Sequence, residues 1–189
     1  MLFRSAIGAI QNNARRLPEV ITAFKQYGGK AILLTGTIYE PDEGHGSEPL
    51  RAFSAYGLSK GLTWQVFRYH CETAGIPLGK LVMPNPFGPW EDRGFTVYLM
   101  TEWKNGKTAE VRTPDYVRDN IHPDLLGGVY SKFAEQVIAT PRGLIKANPS
   151  GYVESQGNFA KRVAREVAAR TGWPCVLEEI GRASCRERV

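Results

Sequence analysis

Tyr56 and Lys60 stand four residues apart in the stretch "SAYGLSKGL", residues 54 to 62. If that stretch is helical, a phenol and an ammonium lie one turn apart on one face and reach the same small volume. The chemistry such a pair suits is proton transfer. A free phenol, with a pKa near ~10, is a poor base at neutral pH, and a neighbouring positive charge favours the phenolate. The spacing alone decides little: with 8 tyrosines in the chain, chance supplies roughly 0.4 such pairs. The surrounding elements have to decide.

"ARRLPEVITAFKQYGG" carries Leu17, Val20, Ile21 and Phe24 at helical spacing and ends in Gly28-Gly29, a helix stop. "KAILLTGT" follows as a short apolar run that reads as a strand buried on both faces. The Pro-, Gly- and acid-rich "YEPDEGHGSEPLRAF" reads as a loop. A helix is expected from about Ala55 to Ala74, closed by Gly75-Ile76-Pro77, and "PLGKLVMP" is a second buried strand. Helix and apolar strand alternate, which predicts an α/β fold with a parallel sheet. Past Pro84, "NPFGPWEDRG" is a turn-rich loop, "FTVYLMTEWKNG" an aromatic helix and "KTAEVRTPDYVRDN" irregular and polar. "HPDLLGGVYSKFAEQVIA" reads as a helix and "GLIKANPSG" as strand-like. The last helix, "SQGNFAKRVAREVAARTG", has Ser155 as N-cap, Gly172 as stop and Phe159, Val163 and Val167 on one face.

Four segments then fall in a fixed order. "LLTGTIYEP" places Thr35 at the carboxyl end of a buried strand, where open α/β sheets put their ligand sites. The Tyr-Lys helix follows, then "PNPFGP" and "YVRDNIH". This ordered set resembles the extended short-chain dehydrogenase/reductase family, the NAD-dependent epimerases and dehydratases of sugar nucleotides, from about Asn12 to about Gly172. The resemblance implies a partial Rossmann-like parallel sheet with a small C-terminal substrate-binding lobe, a cofactor that is NAD or NADP, and a sugar-nucleotide substrate.

It also implies roles. Tyr56 is the base that takes the hydroxyl proton while hydride passes to the nicotinamide. Lys60 lowers the pKa of Tyr56 and hydrogen-bonds the nicotinamide ribose. Thr35, four residues before Tyr39, holds the reacting hydroxyl, with Thr37 as the rival. Asn85 contacts substrate, and Arg118 grips the diphosphate, for which a guanidinium fork is suited. A turn-forming Asn85 before proline and an ion pair of Arg118 with Asp119 are the plainer alternatives. Asp119 and His122 read as structural, and neither His45 nor His70 carries a partner pattern.

Departures narrow the reaction. Sugar-nucleotide 4,6-dehydratases place an acidic pair after the catalytic threonine, where Gly36 and Thr37 stand here. Dehydration is disfavoured, leaving epimerisation or keto-sugar reduction. Glu40 replaces a common glycine, and Val82 a frequent arginine. The family's glycine-rich G-x-x-G-x-x-G turn appears nowhere in the sequence. The expectation is therefore an N-terminally truncated chain that is itself inactive. "EIGRASCRERV", residues 179 to 189, resembles a translated adapter oligonucleotide and is set aside as a non-native tail. The expected division is 1–83 as the rest of the dinucleotide-binding domain and 84–178 as mostly substrate lobe, with a helix and strand near 122–147 returning to the sheet.

Composition bounds the rest. Hydrophobic residues at 42% and charged residues at 23% are ordinary for a globular protein. A net charge of +5 is scattered in single or paired basic residues, which suits small anions better than nucleic acid. No run is long enough for a membrane span, and no signal peptide follows Met1, so a cytoplasmic location is expected. Cys71, Cys175 and Cys185 show no metal or disulfide pattern, and no metal is expected. Family members often dimerise through the Tyr-Lys helix, so a homodimer is implied. Two other readings keep the same fold: a non-catalytic NAD(P)-binding sensor, which usually lacks the tyrosine or the lysine, and a reductase of small carbonyl compounds, which would not need Arg118.

Overall fold

The structure, a computed structural model, describes residues 6–43, 52 and 54–181. His45, Cys185 and the tail from 182 onward lie outside them. The chain divides into two compact units, one of Met1–Met83 with Gly127–Pro149, the other of Pro84–Leu126 with the residues from Ser150.

The first unit begins with α1 (Ala6–Ala14), ahead of the stretch whose apolar spacing predicts a helix, and α2 (Leu17–Gln26), which lies within that stretch. Pro18 sits in the first turn of α2, where its missing N–H costs nothing, whereas further inside a helix it would break the ladder. Strand β1 (Ile32–Thr37) follows, then helix α3 (Ala55–Ala74) and strand β2 (Leu78–Met83). Ser54 caps α3 by accepting from the Gly57 amide at 3.0 Å, and Gly75 ends it in the left-handed conformation, φ 66°.

β1 and β2 pair in parallel with Ile32 opposite Leu78 and Thr37 opposite Met83, and β6 (Leu144–Ala147) adds in parallel to β2. The sheet order is β1-β2-β6. Ile32 and Leu34 pack with Ile21, Phe24, Trp64, Cys71, Ile76 and Leu78, so one face is covered by α2 and α3. Helix α5 (Pro123–Ala139) covers the other with its part from Gly127 onward. It lies so close that a Cβ on Gly79 would stand 2.3 Å from Val137. A sheet buried on both faces needs continuous apolar strands rather than alternating ones, which is how both runs read. The α/β class with a parallel, Rossmann-like sheet is the observed one.

In the second unit, β3 (Asn85–Pro86), β5 (Val117–Ile121) and β7 (Tyr152–Ser155) form one sheet in the order β3-β5-β7. β4 (Ala109–Val111) pairs with β8 (Leu177–Glu179). The stretch read as irregular thus holds β4 and β5, whose apolar positions are too few to show a period. Glu179 and Ile180, within the stretch set aside as tail, join this unit: Glu179 lies opposite Val111, and the Ile180 amide donates to the Val111 carbonyl at 3.0 Å. Leu99 and Trp103 of α4 (Phe95–Lys104) pack with Ala109, Val111, Cys175 and, from α6 (Gln156–Thr171), Ala160 and Ala164. Ser155 caps α6 by accepting from the Asn158 amide at 3.2 Å, and Gly172 closes it at φ 71°. Among the described residues no helix is long and apolar enough to cross a membrane.

Candidate functional site

β1 ends at Thr37, and the chain turns at once through Tyr39 and Glu40. Helix α3 returns over this turn at very short range: a Cβ on Gly57 would lie 1.9 Å from the Tyr39 carbonyl oxygen. Only glycine permits that approach. The approach delivers Tyr56 to the strand end, where its half-exposed phenol comes close enough to the Thr37 side chain for that hydroxyl to lower its pKa. The Thr37 hydroxyl oxygen also accepts from the Tyr39 amide at 3.4 Å, leaving its own proton to donate to the phenol.

The Thr35 hydroxyl is engaged elsewhere. It shares a 2.7 Å hydrogen bond with the Tyr130 hydroxyl of α5. The Thr35 carbonyl accepts from the Lys60 ammonium at 2.6 Å. The structure therefore gathers Tyr56, Lys60 and the Thr35–Thr37 strand end in one place, with the Thr37 hydroxyl beside the phenol and the Thr35 main chain on the ammonium.

Electrostatics at this strand end oppose ionisation of the phenol. Burial pushes the Tyr56 pKa up from its ordinary value, the Thr37 hydroxyl pulls it back, and the charges of Glu40 and Tyr39 push it up again. Burial holds the Lys60 ammonium below its ordinary pKa; Glu40 opposes this and Lys80 adds to it. The ammonium is spent largely on a main-chain carbonyl rather than on the phenol.

Asn85 and Arg118 belong to the second unit. The Asn85 side chain donates to the Asp119 carbonyl at 3.3 Å. Asp119 accepts from the Gly151 amide at 2.8 Å, a structural duty. His122 Nδ1 accepts from the Asp124 amide at 3.3 Å, at the start of α5. The Arg118 guanidinium lies 5.0 Å from the Tyr116 ring centroid. Its buried Nε has no hydrogen-bond partner among the described residues. The same unit holds an open pocket of about 380 Å³ lined by Phe95, Tyr98, Glu110, Arg112, Thr113 and Gln156. Among the described residues no cluster of His, Cys, Asp and Glu could hold a metal ion.

Two participants were not singled out by sequence. Tyr130 gave no signal, because only the fold brings α5 under β1. Lys80 did give one: a lysine inside the apolar run "PLGKLVMP" has to meet a carboxylate, and it meets Glu40 and Glu43, both at 2.6 Å.

Comparison with known proteins adds the following. The family model described as NAD dependent epimerase/dehydratase family matches residues 3–127. A comparison with curated protein sequences yields no significant match. Among solved structures, UDP-N-acetylglucosamine 4-epimerase from Methanobrevibacter ruminantium is similar at 16% identity and TM-score 0.69, over 92% of this chain and 57% of that one. UDP-glucose 4-epimerase from Brucella ovis is similar at 15% identity and TM-score 0.69, over 92% and 59%. dTDP-glucose 4,6-dehydratase from Bacillus anthracis is similar at 19% identity and TM-score 0.65, over 97% and 60%. These likenesses show the fold, and the chain spans somewhat under two thirds of the length of each structure.

Proposed function

Since the chain belongs to the NAD-dependent epimerase/dehydratase family, we propose that it carries the catalytic tyrosine, lysine and threonine of a nicotinamide-dependent sugar-nucleotide epimerase or keto-sugar reductase. The observation that carries this is the half-exposed Tyr56 phenol beside Thr37 at the carboxyl end of a parallel strand, with the Lys60 ammonium fixed one turn further along. Carboxyl ends of parallel strands are where α/β sheets bind their ligands.

The residues present fit the nicotinamide end of a dinucleotide. The Lys60 ammonium has three N–H groups and commits one to Thr35, so donors remain for ribose hydroxyls. Bound there, a nicotinamide would supply the hydride acceptor and a positive charge near the partly buried Tyr56 phenol. Tyr56 takes the proton of the sugar hydroxyl, and the Thr37 hydroxyl, already beside the phenol, orients that hydroxyl. Thr35 keeps the family position and contributes through its carbonyl to Lys60. Arg118, with its unpartnered buried Nε, serves the diphosphate, and Asn85 lies on the neighbouring strand β3, opposite Asn120 of β5. Gly36 and Thr37 offer no acid at the positions dehydratases use, which favours epimerisation or reduction.

The test is NMR of the sugar product formed from a UDP-sugar and NAD by the complete enzyme. Tyr56→Phe is expected to lower turnover by about 10²–10⁴-fold, the usual worth of a positioned base, and Thr37→Val to lower it more than Thr35→Val. Unchanged turnover by Y56F overturns the reading. The 189-residue chain alone, whose sequence has no glycine-rich pyrophosphate turn, is expected to bind NAD only weakly. Micromolar affinity by calorimetry would contradict that part.

A further inference from the structure

Lys80 stands in the middle of β2 and is 2% exposed. A bare ammonium is not tolerated in such surroundings. Glu40 Oε2 and Glu43 Oε1 each meet it at 2.6 Å, and the Trp64 ring lies 4.9 Å away. Glu43 also takes the Lys146 ammonium of β6 at 2.9 Å. Two cations and two anions thus balance inside the first unit. The second oxygen of Glu40 accepts the Thr37 amide at 2.8 Å, so the network ends on the residue that meets Tyr56.

Room for this pair comes from Gly36. A Cβ there would lie 2.7 Å from Lys80 Cε and 2.9 Å from Glu40 Oε1. A side chain at position 36 would therefore force the Lys80 and Glu40 side chains to shift.

We propose that Glu40, clamped by Lys80 in the space Gly36 leaves open, is a positioning residue for the Tyr56 site: it fixes Thr37 through its amide and imposes a negative charge on both Tyr56 and Lys60. The proposal rests on the reading of Tyr56 as proton acceptor. A buried pair serving stability alone has no need of the strand end, and replacing such a pair by apolar residues is often neutral. Here one carboxylate oxygen is spent on the catalytic turn. The charged and titratable groups that bear on Tyr56 are Glu40 and Tyr39, from the segment after β1. Those that bear on Lys60 are Glu40, and Lys80 of β2.

The direction of the effect follows. A carboxylate beside a phenol disfavours the phenolate, and beside an ammonium favours the charged form. In Glu40→Gln the charge is lost and a single acceptor oxygen remains for the Thr37 amide and the Lys80 ammonium, so one of those two contacts is lost as well, while Lys80 keeps Glu43. The Tyr56 phenol, observed by NMR of the 189-residue chain labelled at tyrosine Cζ and assigned with Y56F, should then titrate at lower pH by about half a pH unit or more. The Lys60 ammonium should move the same way. Glu40→Gly, the residue the family commonly places there, is the second variant. Unmoved Tyr56 and Lys60 midpoints in a folded variant overturn the proposal, as does failure of both variants to fold, which would make the pair a stability element. No substrate or cofactor enters the titration, so retained turnover by Y56F in the complete enzyme would sink the catalytic reading while leaving this result intact.

Discussion

The Lys60 ammonium donates to the main-chain carbonyl of Thr35 at 2.6 Å, tying the first turns of α3 to the strand that carries both threonines. The link uses a flexible side chain to fix a rigid geometry, and it leaves two N–H groups for a ligand. Lys60→Met removes anchor and charge together. In the complete enzyme kcat/KM is expected to fall by about 10²-fold or more, with KM for NAD raised. Lys60→Arg should not restore it, because a planar fork cannot serve a carbonyl and a ribose from one point. Steady-state kinetics with NAD as the varied substrate check both statements.

A pH dependence of stability follows from Tyr56. Its folded pKa is raised above the ordinary 10.0, mainly by burial, so the folded state holds this proton longer than the unfolded chain does. The corresponding stability is fully present below about pH 10 and is lost as pH rises through the folded value. Lys60, lowered from 10.5, acts in the opposite sense: it costs stability while charged, and the cost fades as pH rises from its folded value toward its unfolded one. Tyr56→Phe should remove the first effect and keep the second. Urea midpoints for both proteins between about pH 8 and about pH 11 should therefore diverge, Y56F falling less steeply at the alkaline end. Parallel curves would contradict it.

Much of the first unit was legible because its strands are buried on both faces, a pattern that needs only a run of apolar residues such as "AILL". Helix α1 was not, because the apolar spacing from Leu17 to Phe24 marks only α2, beyond the break at Arg15-Arg16. β4 and β5 escaped because three and five residues are too short for a period. The Tyr-Lys pair was legible from local spacing. The choice between Thr35 and Thr37 was not, because both lie on the same face of β1 and only the tertiary partner separates them, Tyr130 of α5 holding the Thr35 hydroxyl. Contacts such as Glu40 with Lys80, forty residues apart, are tertiary, and only the odd lysine in an apolar strand hinted at them.

Gly57 offers a sharp test of how α3 is seated. Its missing side chain lets the helix rest against the Tyr39 carbonyl, with a virtual Cβ 1.9 Å from that oxygen. Gly57→Ala gains helix propensity of about 1 kcal/mol, yet backbone stands on the other side of the clash and cannot swing aside. Overpacking of this kind costs about 1–3 kcal/mol, so the net effect is expected to be destabilising, read as a lower urea midpoint with an unchanged m-value. The Tyr56–Thr37 contact should loosen with it, and in the complete enzyme kcat should fall further than stability alone would cause.

Arg118 separates the two enzymatic readings that share the Tyr-Lys chemistry. Its Nε is buried without a partner among the described residues, and its guanidinium rests against Tyr116. The planar guanidinium fork matches the oxygens of a diphosphate. If the substrate is a sugar nucleotide, Arg118→Ala in the complete enzyme should reduce kcat/KM by about 10²-fold, chiefly through KM, and Arg118→Lys should recover little of it because an ammonium cannot reproduce the fork. Turnover of a small ketone with no phosphate should be nearly unaffected by the same change. If the natural substrate is instead a small carbonyl compound, R118A should leave its kcat/KM unchanged and no UDP-sugar should be turned over by either protein. The measurement is a pair of kcat/KM values for wild type and R118A, one with a UDP-sugar and one with the ketone, and a loss of equal size on both substrates would remove Arg118 from diphosphate binding.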